Sequence, residues 1–142
     1  MRTPSELSDL FRERGFKMTA QRERIFSALH GASDHPTAEA VWSEVRTDMS
    51  SISLRTVYQT LNDLVGMGEL AQLDIGPGPA RFDPMNVPHH HVVCDACGRI
   101  ADLTVEFPSV GLPDELAGDF DVVSTEIIFR ASGCGVCRGA EG

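Results

Sequence analysis

The sequence predicts an α+β protein in two parts, a helical N-terminal half closed by a small hairpin and a strand-rich C-terminal lobe. Three observations carry that expectation. Apolar residues recur at helical spacing from Leu7 to Val65, with good capping residues ahead of the runs. A Gly76-Pro77-Gly78-Pro79 turn then separates two short extended runs. Beyond Val92 the pattern shifts to alternation, and the four cysteines of the chain all lie there, in two Cys-x-x-Cys pairs.

Each element follows from its own residues. Ser5 to Arg14 places Leu7, Leu10 and Phe11 on one side of a first helix. Thr19 can cap a second carrying Ile25, Phe26 and Leu29, and Thr37 a third with Ala38, Val41, Trp42 and Val45 on one face. Ser53 can cap a fourth, whose Leu54, Val57, Leu61, Leu64 and Val65 face inward until Gly66 and Gly68 end it. Glu69 to Ile75 and Ala80 to Asp83 then read as a hairpin. Helices followed by a hairpin describe a winged helix-turn-helix, although helix pairs with a hairpin serve many ends. The fourth helix turns Arg55, Thr56, Gln59 and Asn62 outward with Tyr58 at its edge. Those residue types suit base edges and sugars, and would equally suit a solvated face. Further on, Ile100 to Phe107 and Val122 to Phe129 read as strands, with a helical turn at Pro113 to Leu116 between them. Exposed strand edges on so small a lobe favour pairing with a second copy.

The chain has 142 residues, enough for one domain or two small ones, and a formal net charge of -9. That charge argues against indiscriminate nucleic-acid binding. Basic residues nevertheless gather early, at Arg12, Arg14, Lys17, Arg22 and Arg24, so a local basic face can still meet DNA. Lys17 and Arg22 are the candidates for phosphate contact. No apolar run reaches bilayer length and no secretory signal opens the chain, so a soluble cytoplasmic protein is expected.

Cys94-Asp95-Ala96-Cys97 and Cys134-Gly135-Val136-Cys137 can surround one tetrahedral Zn2+, two thiolates from each turn. A disulfide framework would need an oxidising compartment. A redox Cys-x-x-Cys has no reason to occur twice, and redox chemistry and an iron–sulfur centre are the competing readings. Asp83, the His89-His90-His91 run and Asp102 offer nitrogen and oxygen donors, which suit a harder metal. In an extended segment His90 points away from its neighbours and reads as a surface residue, while His30 falls at a helix C-terminus. Asp95 and Glu106 read as solvated charges.

His35-Pro36-Thr37-Ala38-Glu39, Thr56-Val57-Tyr58-Gln59-Thr60-Leu61, Arg81-Phe82-Asp83, His89-His90-His91-Val92-Val93-Cys94, Cys97-Gly98 and the terminal Cys-x-x-Cys appear in that order. Together they resemble the ferric uptake regulator family of bacterial metal-dependent repressors over nearly the whole chain. The resemblance implies a winged-helix DNA-binding domain at 1–83, a hinge at about 84–88, and a dimerisation and metal-binding domain at 89–142. It implies Cys94, Cys97, Cys134 and Cys137 as structural zinc ligands, and His35, Asp83, His89, His91 and Asp102 as ligands of a regulatory Fe2+ or Mn2+. DNA contact would fall to Lys17, Arg22, Arg55, Thr56, Tyr58 and Gln59. Aspartate at position 83 resembles the peroxide-sensing branch, in which iron-catalysed oxidation would strike His35 or His89. Pro88 and Glu126 stand where some members place histidines, so the family's additional metal site is expected to be absent or poor.

The resemblance thus implies a repressor that binds near-palindromic operator DNA as a homodimer and has no catalytic residues, membrane contact or small organic substrate. A regulator of iron, manganese or zinc uptake would use the same ligands without oxidation chemistry. A metalloenzyme with an open His/Asp site and a zinc-stapled interaction module are more distant readings.

Overall fold

The computed structural model describes residues 1–32, 34–84, 89–104, 106–108 and 110–140. It divides into two compact units, Met1–Asn86 and Val87–Gly142. The expected hinge at 84–88 falls, apart from Pro84, outside the described residues.

The N-terminal unit has four helices, α1 (Pro4–Glu13), α2 (Ala20–His30), α3 (Ala38–Val45) and α4 (Leu54–Gly66). The hydroxyls of Thr19, Thr37 and Ser53 accept hydrogen bonds from the backbone N–H groups of Arg22, Ala40 and Thr56 at 3.2, 3.1 and 3.1 Å. Each such cap is worth about 1 kcal/mol. The first helix starts one residue earlier than its periodicity predicts. Thr3 and Glu6 form a reciprocal capping box, with the Thr3 N–H donating to Glu6 Oε2 at 2.9 Å. Gly66 stays inside α4, and the reversal is made by Gly68 at φ 75°, a left-handed conformation that glycine adopts without strain.

Apolar faces of all four helices meet in one core. Leu7, Phe11, Ile25, Phe26, Val45, Val57, Leu61 and Leu64 are fully buried. Phe11 and Phe26 pack edge-to-face at 4.9 Å. The Trp42 indole N–H donates to the carbonyl of Ile52 at 3.0 Å, fixing the turn that leads into α4. The wing is β1 (Ala71–Leu73) paired antiparallel with β2 (Arg81–Asp83), with Ala71 opposite Asp83 and Gln72 opposite Phe82. Its strands are shorter than the alternation suggests.

In the C-terminal unit β3 (His90–Cys94) is the central strand, with β4 (Ile100–Leu103) antiparallel on one side and β5 (Ile128–Ala131) parallel on the other. Short helices α5 (Asp114–Ala117) and α6 (Gly135–Ala140) complete it. Two expectations need correction. The strand placed at Ile100 to Phe107 stops at Leu103, and the one placed at Val122 to Phe129 begins only at Ile128. Among the described residues no strand lies beside Val122 and Val123, which stand 58% and 96% exposed. Alternation there marks an apolar surface rather than a paired ladder. Among the described residues no helix is long and apolar enough to cross a membrane.

Candidate metal centres and nucleic-acid interface

The knuckle turn after β3 depends on Gly98, whose φ is 82° and whose N–H closes back on the Cys94 carbonyl at 2.8 Å. The second knuckle enters α6, and its Cys134 N–H donates to Cys137 Sγ at 3.3 Å. Because β5 runs parallel beside β3, with Ala131 opposite Cys94, both knuckles emerge at the same end of the sheet. The four sulfurs gather into one cluster. Cys94 Sγ lies 3.7 Å from Cys137 Sγ, Cys97 Sγ 3.6 Å from Cys134 Sγ, and Cys134 Sγ 3.7 Å from Cys137 Sγ. A tetrahedron with Zn–S bonds of about 2.3 Å has edges of about 3.8 Å, whereas a disulfide would bring sulfurs to about 2.0 Å. The spacing therefore fits zinc.

The thiols also pull one another apart in acidity. The backbone N–H of Cys137 leads in lowering Cys134 to about 6. For Cys97 the Arg99 backbone N–H favours the thiolate, but desolvation and hydrogen bonds with Cys94 and Cys134 outweigh it and push the group up to about 11. Neighbouring thiolates repel, and a dication removes that conflict.

The nitrogen and oxygen donors form one group in each unit. In the N-terminal unit Phe82 N–H donates to the Pro36 carbonyl at 2.9 Å, and Arg81 Nη1 donates to the His35 carbonyl at 3.2 Å. These bonds hold the loop before α3 against β2 and set His35 Nε2 3.3 Å from Asp83 Oδ2. Both side chains are buried. In the C-terminal unit His91 lies opposite Asp102 across the β3–β4 ladder. Asp102 Oδ1 lies 2.8 Å from His89 Nε2 and 3.2 Å from His91 Nε2, with the two rings 4.4 Å apart. Two imidazole nitrogens converging on one carboxylate oxygen are a donor set suited to first-row divalent ions.

Two neighbours of this cluster differ from expectation. His90 is half-buried rather than a loose surface residue: its Nδ1 accepts from the Ile127 N–H at 2.9 Å and its ring meets Phe107 edge-on at 4.9 Å. Glu126 contacts His91 Nδ1 through Oε1 at 2.5 Å. The parallel β3–β5 pairing that brings 126 to 91 spans the chain and has no local signature in sequence. Asp95 is exposed, as a solvated charge should be, and faces Arg130 at 3.2 Å.

On α4, Arg55 and Gln59 are exposed and Thr56 is half-buried, its hydroxyl 2.9 Å from that of Ser53. The Tyr58 hydroxyl donates to Glu39 Oε1 on α3 at 2.8 Å, which raises its pKa. Lys17 is exposed. Arg22 is engaged inside the unit: Nη1 donates to the Lys17 carbonyl, Asp63 lies 3.8 Å away, and the guanidinium sits over Phe11 and Phe16. Its side chain is 18% exposed, so its first role is to brace the turn between α1 and α2 rather than to reach outward. Arg12 and Arg24 also face carboxylates, and the basic face is thinner than the sequence suggests.

A four-helix unit ending in a hairpin, a thiolate zinc site and separate His/Asp donors define a metal-dependent regulator of the winged-helix class. The ferric uptake regulator family matches residues 13–117, and the chain belongs to that family. It is 32% identical over 130 residues to the peroxide-responsive repressor PerR of Staphylococcus aureus, covering 89% of this chain and 84% of that protein. Its fold is that of the Helicobacter pylori ferric uptake regulator Fur, at a TM-score of 0.74 and 20% identity over 97% and 93% of the two chains. PerR from Streptococcus pyogenes, described as a peroxide sensor and gene regulator, is 26% identical with a TM-score of 0.56 over 96% and 94%.

Proposed function

We infer that this protein is a transcriptional repressor that binds operator DNA as a homodimer while its regulatory metal is in place, and that hydrogen peroxide releases it. The observation that carries the reading is the partition of donors: a thiolate cluster, and apart from it histidines facing aspartates, His35 with Asp83 in one unit and His89 and His91 with Asp102 in the other. Zinc at Cys94, Cys97, Cys134 and Cys137 supplies folding energy and keeps the thiolates inert. His35, Asp83, His89, His91 and Asp102 would hold the regulatory ion. A requirement for donors from both units would favour the conformer that completes the site, and so would couple metal binding to DNA affinity.

DNA is read by α4, with Arg55, Thr56, Tyr58 and Gln59 towards the bases and Lys17 on the phosphate backbone. Glu39 holds the Tyr58 ring in a fixed orientation. Arg22 supports that surface from behind. A second copy covers the apolar groove lined by Val110, Leu112, Ala117, Phe120 and Val122 in the C-terminal unit.

Fe2+ held by these residues would supply the redox chemistry that activates peroxide. His35 or His89 would then be oxidised by two electrons, its ring taking one oxygen of H2O2 while the other leaves as water, and the oxidised imidazole would be a weaker donor. Asp83, in place of the longer glutamate, and similarity to peroxide-responsive repressors support this reading over regulation by metal supply, which would use the same five ligands. The test is operator binding by fluorescence anisotropy, with the duplex chosen by selection from a random pool. Fe(II)- and Mn(II)-loaded protein should both bind, and peroxide should release only the iron form. Release of neither form would leave metal supply as the signal.

A further inference from the structure

Glu126 has no place in the ligand set above, yet it makes one of the shortest polar contacts in the C-terminal unit, 2.5 Å from Oε1 to His91 Nδ1. The imidazole is buried at 4% side-chain exposure, while the carboxylate stands 41% exposed. Its position is fixed from both sides. The Ile127 N–H donates to His90 Nδ1 at 2.9 Å, and the His91 N–H donates to the Ile127 carbonyl at 3.2 Å, so residue 126 is zipped to β3 just before β5 begins.

We propose that Glu126 is a positioning residue for the regulatory metal, orienting His91 through Nδ1 so that Nε2 is presented to the ion. The inference rests on His91 and Asp102 being ligands. Asp102 Oδ1 and His89 Nε2 gather on the Nε2 side of the His91 ring, with Asp102 Oδ1 3.2 Å from His91 Nε2 and 2.8 Å from His89 Nε2. Glu126 lies on the opposite, Nδ1 side. The two ring nitrogens point in diverging directions, so Glu126 does not share the ion that His91 Nε2 binds. An ionised carboxylate only accepts, so with an ion on Nε2 the ring proton would sit on Nδ1 facing Glu126, which would make the imidazole a stronger donor. His90 contributes indirectly, because its bond to Ile127 sets where Glu126 stands.

Isothermal titration of Mn2+ into the zinc-replete full-length chain tests the proposal, with Glu126→Ala, Glu126→Gln and His91→Ala compared. Glu126→Ala should weaken Mn2+ about 10–100-fold, in the range expected for losing an outer partner of a ligating histidine. Glu126→Gln, whose side-chain oxygen still accepts from Nδ1–H, should recover most of that loss, and zinc content should stay at one per chain in both. Mn2+ binding by Glu126→Ala as tight as the parent's, with His91→Ala abolishing it, overturns the role of Glu126 alone. Glutamine as weak as alanine also overturns it, since a direct ligand or a purely structural contact is then in play. Undiminished binding by His91→Ala overturns the ligand assignment underneath.

Discussion

His91 joins more of the proposed mechanism than any other side chain. One ring nitrogen faces Asp102 and the other faces Glu126. Truncating it to alanine should spare zinc and dimerisation but abolish metal-dependent DNA binding, which titration with Mn2+ and anisotropy would read separately. Undiminished binding would move the regulatory ion elsewhere. At this scale the sequence was most legible where spacing is local. The Cys-x-x-Cys pairs and the His-x-His alternation announce their chemistry because a tight turn or an extended strand places the donors without help from the rest of the fold. Arg22 was legible as a charge but not as a brace, since its partners Asp63, Phe11 and Phe16 come from three different places in the chain. Glu126 lacks a local signature for the same reason, since its partner His91 lies far from it in sequence.

Among the elements, α4 and the two knuckles bear the functional claims. Arg55 is exposed on a helix capped by Ser53 and backed by fully buried Val57, Leu61 and Leu64. Arg55→Ala should leave the fold intact and cost about 1–3 kcal/mol at the selected operator if its base contact is bidentate. Lys17→Ala should weaken all sequences alike and flatten the salt dependence. An unchanged operator affinity for Arg55→Ala would remove α4 from the base-reading role. Cys94→Ser leaves three thiolates of four, so zinc content should fall and the C-terminal unit should lose order, checked by metal analysis and light scattering. A zinc-free, well-folded dimer would contradict a structural role for the ion. The helices were readable from their caps and apolar faces, because a helix is specified over a few consecutive turns. The strands of the C-terminal unit were not. Val122 and Val123 look like strand residues in the sequence, yet apolar side chains can serve an interface between copies as well as a sheet, and local alternation does not distinguish the two.

For the whole molecule, the proposed function asks one regulatory ion to draw donors from both units. The N-terminal unit has an extensive apolar core and should fold without metal. Phe11→Ala should destabilise it by about 3–5 kcal/mol, measured by denaturant unfolding, whether or not metal is present. The C-terminal unit buries far less, with Val93, Cys94 and Ile100 its buried apolar residues among those described, and should depend on zinc for its order. In the proposed mechanism the regulatory ion is lost once peroxide has oxidised one of its donors. The most direct measurement of that claim is peptide mass spectrometry on iron-loaded and manganese-loaded protein after mild peroxide, followed in parallel with release from operator DNA. The account predicts one added oxygen on His35 or His89 in the iron form only, on the time course of release, with zinc still held by all four cysteines. Intact histidines on iron-loaded protein that stays bound would contradict it, as would release accompanied by zinc loss and disulfide formation.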